Sequence, residues 1–486
     1  MTRNLAWPAI VVTPAADQNF YPWRLCAATG CPGSLRKRAI MTTLWKLAAF
    51  VLIVGSLSCP ADATTYYIDS VNGNDNNSGT SSLQPWQTIS KIQGTALSAG
   101  DSVLFARGSG YNQCFYVDYS GAFGNPITIG AYGTGTAPAF TNATFAQGNF
   151  GNCIRIRGDY VTVDGLYFYS TAAVAGDPAQ YSPGDGPLVW QMGAVNIESG
   201  CDRCTVQNCE FYDCVAGIRT RGQYTLMQSN HIHDCSRVMV PYTGNWGPLG
   251  IWMGADHQTA NGNTIRNMIS SAGTANIKGG AFEVDDNRIS KYDIKISRNF
   301  TQNNCGFLEC VFDVPSNTAS PAYDGWVITF NVSDDYQAFT KLRYSKNCAV
   351  NNNTILSRKS DNGGEQAVFV VRGHNKQNRF KNNLIMTKYN KEIFDTAGDS
   401  PGDIIQTNHY YAVGTLVMGD EGPGSNPTYG DAKFVNSAAT TAAGYKILST
   451  SPCKNTGQNL GYISDFEFFP IPYGSNPDKG AFEYHP

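Results

Sequence analysis

Val206-Gln-Asn-Cys-Glu-Phe-Tyr-Asp-Cys214 returns 21 residues later as Met227-Gln-Ser-Asn-His-Ile-His-Asp-Cys235. The phrase, an apolar residue, two intervening positions, then Asn and a short β-forming run, comes back as Ile296-Ser-Arg-Asn299, Ile328-Thr-Phe-Asn331, Val350-Asn-Asn-Asn353 and Phe380-Lys-Asn-Asn383. Thr264-Ile-Arg-Asn267 is a weaker copy. Intervals between 21 and 37 residues, carried by β-formers and Asn/Gly turns without helical spacing, are the mark of a stacked solenoid. One rung of short strands cannot bury its inner face alone, so rungs stack ~4.8 Å apart around a shared core. Asn tolerates the left-handed backbone of a sharp corner, and its amide can bond to the same Asn one rung away.

Composition agrees. Charged residues make up only 15% of the 486-residue chain, with 50 Gly and 12% aromatics, which suits a turn-rich β protein and argues against disorder. A formal charge of −3 calls for neither nucleic acid nor an anionic membrane as partner.

Outside the repeats, Met41-Thr-Thr-Leu-Trp-Lys46, the apolar run Leu47 to Leu57 and then Ala61-Asp-Ala63 have the three parts of an export signal. Residues 1–63 are therefore set aside as an upstream segment plus a signal peptide at about 41–63. The folded domain is expected over 64–486, with an irregular region after about 400, in a secreted or periplasmic protein. Of 14 cysteines, Cys26, Cys31 and Cys59 precede the cleavage site, leaving an odd set. For Cys201-x-x-Cys204 a disulfide or buried stacked thiols is the expectation, because no second ligand pair follows at a metal-site spacing.

The chain resembles the pectin-lyase-like right-handed parallel β-helix proteins, secreted enzymes of polysaccharide breakdown. The likeness covers most of the mature chain. It is carried by the repeats, by the opening Tyr66-Tyr-Ile-Asp-Ser-Val-Asn-Gly-Asn-Asp75 with Gln84-Pro-Trp86 and Gly100-Asp101, and by the closing Ser451-Pro-Cys-Lys-Asn-Thr-Gly457 and Pro477-Asp-Lys-Gly-Ala-Phe-Glu-Tyr484. The resemblance implies a single-stranded, all-β solenoid acting as a monomer on an extracellular polysaccharide.

Aligning the strand before each Asn phrase gives Cys153-Ile-Arg-Ile-Arg157, Ala194-Val-Asn-Ile-Glu198, Gly217-Ile-Arg-Thr-Arg221, Gly250-Ile-Trp-Met-Gly254, Ala281-Phe-Glu-Val-Asp285 and Gly306-Phe-Leu-Glu-Cys310, with Val368-Phe-Val-Val-Arg372 beyond. Alternation turns Ile154, Val195, Ile218, Ile251, Phe282 and Phe307 inward. Arg155, Arg157, Asn196, Glu198, Arg219, Arg221, Trp252, Glu283 and Asp285 then face outward. Arginines suit carboxylate or sulfate groups and Trp252 offers a plate for a sugar ring, so the stripe points to an acidic polysaccharide, with His257 close by. A solvated face of Arg–Glu pairs between rungs is the alternative.

Glu283-Val-Asp285-Asp286 is the sharpest feature. Carboxylates at i and i+2 start ~6.6–7 Å apart, within the roughly 6.5–9.5 Å that inverting glycosidases leave between acid and base. The first expectation is a glycoside hydrolase with Glu283 as acid and Asp285 or Asp286 as base, needing no cofactor. Gly254, Gly279 and Gly280 would let a substrate approach. The second expectation, implied by likeness to β-helical uronate lyases, puts Ca²⁺ on Glu283 and Asp285, with Glu198 as a further ligand. Lys291 or Arg288 would then be the base. This chain departs from those lyases where it has Leu308-Glu309-Cys310 in place of Arg-His-Gly. A third is a surface protein that only binds glycans. His231-Ile-His233 has metal-like spacing but supplies only two ligands.

Overall fold

The computed structural model describes residues 62–142, 151–169, 192–236, 247–270, 279–285, 290–310, 323–360, 367–397 and 402–486. The expected export segment up to residue 61, Asp286 and Arg288 lie outside them. Among the described residues no helix is long and apolar enough to cross a membrane.

Each repeat makes three short strands, and each strand pairs in parallel with its counterparts on the neighbouring rungs. Three long parallel sheets result, of twelve, eleven and twelve strands. In the central rung Leu249–Met253 belongs to the eleven-stranded sheet, Thr259–Asn261 to the first and Thr264–Met268 to the third. The chain then re-enters the eleven-stranded sheet as Gly280–Val284. This is a right-handed parallel β-helix, as the repeats require. Its interior is a continuous apolar column that includes Phe105, Phe140, Phe168, Phe211, Ile251, Phe282 and Phe307.

The asparagines run as a buried ladder at the corner between the first and third sheets. Asn230 accepts at Oδ1 from the backbone of Cys209, and bonds to Asn263. The chain of amides continues through Asn299, Asn331, Asn353 and Asn383 to Asn408. The sequence reading is corrected at two points. The ladder member is Asn263 and not Asn267, which lies within the strand Thr264–Met268 and bonds to Asp234. The left-handed residue is the one before each ladder Asn, among them Ser229, Arg298, Phe330, Asn352 and Asn382. The ladder amide is needed for bonding, and its neighbour takes the turn.

Asn408 follows the same phrase, Ile405-Gln-Thr-Asn, and the coil continues past residue 400 with Ile404–Gln406, His409–Val413, Val417–Gly419 and Thr428–Tyr429. Irregular structure begins only after that, later than the boundary expected near 400. The closing segment folds back over the third sheet, where Arg298 donates to the carbonyls of Ser464 and Asp465. All eleven cysteines of 62–486 are buried thiols, with no disulfide among the described residues. Cys201 and Cys204 accordingly follow the stacked-thiol reading.

Candidate functional site

The outward face of the eleven-stranded sheet carries one column of side chains in register. It reads Tyr116, Arg155, Asn196, Arg219, Trp252, Glu283, Glu309, Lys341, Val370 and Asp395. Pairing of Glu283 with Glu309 differs from the sequence alignment, which set Leu308 opposite Glu283. Phe282 pairs with Leu308 instead, and Phe307 is also buried, stacked on Phe339 with centroids 4.3 Å apart. Two successive apolar residues point inward here, one from the corner and one from the strand, so simple alternation slips by one.

That slip brings two glutamates face to face on adjacent rungs, backbones ~4.8 Å apart. Lys341, on the next rung, pairs with Glu309 at 3.1 Å. A recess of about 20 Å³ opens between Glu283, Glu309, Lys341 and Gln337, floored by Phe282 and Leu308. That is room for about one water. Burial, then the nearby carboxylates of Glu309 and Asp285, push the Glu283 carboxyl well above the ordinary range. The Trp252 hydrogen bond and Lys341 oppose that push without cancelling it. Glu283 is thus a half-buried carboxyl biased toward its protonated form, next to a carboxylate paired with a cation. Neighbouring carboxyls held apart in this way divide acid from base or nucleophile.

The structure treats the remaining expected residues unevenly. Asp285 lies two positions from Glu283 on the same side and contributes to its shift. Arg155 pairs with Glu198 on the adjacent rung, and Arg157 pairs with Asp118 at 3.1 Å while lying over the Tyr116 ring. Arg219 is buried, donating to Asn196 Oδ1 at 2.9 Å and stacked on Trp252 at 4.5 Å. Most of the arginine stripe is therefore tied up by inter-rung pairing, the alternative weighed from sequence. Arg221 is half-buried on the same face, one rung before Gly254.

Trp252 is 6% exposed and is no open plate. Its ring lies across Gly254, where an added Cβ would come within 2.6 Å of it. The space at Gly254 is filled by this protein's own indole, not left for substrate. Gly279 has φ +111, and a Cβ there would meet two backbone oxygens at 2.7 Å. Its need for glycine is conformational.

Glu198 does not join Glu283 and Asp285. It stands three rungs away, ~14 Å along the stack, and is committed to Arg155. His257 does not join the column either. It occupies the next corner, stacked on Tyr224 at 4.5 Å and bonded to Asp293 at 3.1 Å. Lys291 is buried in a separate three-stranded sheet, its strand paired with Tyr323–Asp324. Glu309, Lys341 and Gln337 were missed. The phrase Leu308-Glu-Cys310 carried the signal, but only the true register shows which residue Glu309 faces.

A fold of this kind has solved counterparts. Pectate lyase Pel9A superposes over 87% of this chain and 97% of its own, with TM-score 0.53 and 16% identity. The fold is that of the pectin-lyase-like β-helices. A GH136 lacto-N-biosidase from Eubacterium ramulus is similar over 80% of this chain and 70% of its own, with TM-score 0.41 and 14% identity. Among curated proteins, a lacto-N-biosidase of Bifidobacterium longum subsp. longum is 44% identical over 77 residues. That match covers 15% of this chain and 5% of the relative's length. No family model matches the chain.

Proposed function

We propose that the chain is an exported polysaccharide-active enzyme, a glycoside hydrolase with Glu283 as general acid and Glu309 as the facing carboxylate. The observation that carries this is the half-buried Glu283, its pKa pushed up by burial and by neighbouring carboxylates, set directly opposite the Glu309–Lys341 pair. An acid of that kind donates a proton to a leaving glycosidic oxygen, and an adjacent carboxylate stabilises or attacks the sugar carbon on the other side. Adjacent-rung spacing is near the ~5–5.5 Å of retaining glycosidases, whereas Asp285 at i+2 is at the inverting spacing. Lacto-N-biosidase likeness, short as it is, supports a hydrolase. The case for an acidic substrate is weaker than the sequence suggested, because the arginines of the stripe are paired.

The acids are a poor fit to Ca²⁺. Glu309 already has Lys341 for its cation, and Glu198 is remote and paired with Arg155. These pairings favour the hydrolase over a calcium-dependent lyase.

The test is a depolymerisation screen of the purified protein, read by reducing ends and ultraviolet absorbance together. Its panel includes pectate, alginate, glycosaminoglycans, bacterial exopolysaccharides and glycans bearing the lacto-N-biosyl group for which the bifidobacterial relative is named. Reducing ends without absorbance, persisting in chelator and lost in Glu283→Gln, are expected. New absorbance with each cut would overturn the hydrolase in favour of a lyase. Binding without cleavage, unchanged by Glu283→Gln, would make it a glycan-binding protein.

A further inference from the structure

On the third sheet, on a different face from the acid column, Glu210–Tyr212 lies beside His231–Cys235. Glu210 is directly opposite His231, and His233 is two positions further on the same outward side. Ligand atoms of Glu210, His231 and His233 all lie within 4.8 Å of one another. The sequence offered only the two histidines; the third ligand comes from the neighbouring rung.

We propose that Glu210, His231 and His233 form a binding site for a divalent transition ion, zinc by preference. Two imidazoles and a carboxylate are a ligand set this ion takes, and its bond lengths of about 2.0–2.2 Å set tetrahedral neighbours about 3.3–3.6 Å apart. His233 Nε2 and Glu210 Oε1 are 3.2 Å apart, already near that separation. The rings of His231 and His233 are stacked, with centroids 4.0 Å apart and 17° between planes, so both are already at the site and binding requires one ring to tilt out of the stack.

The outer shell is also built. His233 Nδ1 faces Asp234 Oδ2 at 2.8 Å, which orients the ring and directs Nε2 to the site. Asp234 is itself held by the side-chain amide of Asn267, one rung on. Arg266, opposite His233 on that same rung, donates to Gln302 at 2.9 Å, so its guanidinium is directed to the rung beyond. Glu210 and His231 are exposed, which leaves a fourth position open to water or an external ligand. Because the ligands come from two rungs, the ion would clamp them together.

The experiment is calorimetric titration of Zn²⁺ into untagged full-length protein stripped with chelator, with thermal melting alongside. One equivalent, binding in the micromolar range or tighter, and a melting temperature several degrees higher with zinc are expected. His231→Ala and His233→Ala should each weaken binding at least about tenfold, and Asp234→Asn by roughly 10- to 100-fold. Glu210→Gln should remove the thermal shift. These side chains are largely at the surface, and apo melting temperatures show whether each variant is folded. Absent stoichiometric binding overturns the proposal. So does binding that survives the His231→Ala/His233→Ala double variant, which would place the ion elsewhere, for instance on Cys26, Cys31 or Cys59.

Discussion

Glu283 and Glu309 face each other on adjacent rungs of the eleven-stranded sheet, and Lys341 on the next rung forms an ion pair with Glu309. Replacing Glu283 by Gln should cut turnover by about 10²–10⁴, the usual worth of a positioned acid. The same change should stabilise the protein at neutral pH. A carboxyl whose folded pKa is raised contributes stability that is fully present below its unfolded value of 4.5 and lost as pH climbs through the folded value. Gln keeps the proton-like donor and removes that loss. Melting temperature against pH should fall less steeply for the variant than for the parent.

Asp285→Asn separates the two candidate partners of the acid. Asp285 helps to raise the Glu283 pKa, so its removal should move the alkaline limb of the activity profile to lower pH. If Glu309 is the working carboxylate, turnover at acidic pH should survive. Its collapse at every pH would make Asp285 catalytic. Product anomers followed by NMR give the independent reading, retention with Glu309 and inversion with Asp285.

Lys341→Met should shift the same limb the opposite way. Lys341 lowers the Glu283 pKa, and without it the acid holds its proton to higher pH. A pH–rate profile of kcat measures this directly.

Asn331 lies mid-ladder, donating to Ile296 O and Asn353 and accepting from the backbone and side chain of Asn299. Asn331→Ala strands buried partners on both neighbouring rungs, each costing about 1–3 kcal/mol. Urea unfolding should show a loss of roughly 3 kcal/mol. A change under ~1 kcal/mol would mean the ladder is not structural in this sense.

The thiols give a simple count. A thiol reagent added to native protein trimmed of its first 61 residues should find almost none, and after denaturation eleven. Burial raises Cys209 and Cys348 to about 12, which keeps them unreactive while folded. Reducing agent should leave the melting temperature unchanged.

Much of this fold is written in short-range chemistry. The spacing of Asn299, Asn331, Asn353 and Asn383 gave the rungs, and alternation gave the column from Arg155 to Glu283. The site was harder to read because it depends on relations between rungs. Glu309 was visible but assigned the wrong neighbour, since Phe307 and Leu308 are both buried and the pattern there has no single phase. Trp252 looked like a sugar plate because sequence does not show a ring folded over Gly254. Arg155 and Glu198 are 43 residues apart, and nothing local says that they meet.

The asparagine ladder runs inside the coil, independent of what the chain does between one rung and the next. Asn331 to Asn353 takes 22 residues and Asn263 to Asn299 takes 36, yet each pair meets through the same amide contact at 3.0 Å. Alignment of the rungs and length of the excursions between them are thus separate variables. Segments can lengthen, shorten or change character around the recess while the columns beneath stay in step. A scaffold of this kind can be refitted to a new glycan by editing its outer turns alone.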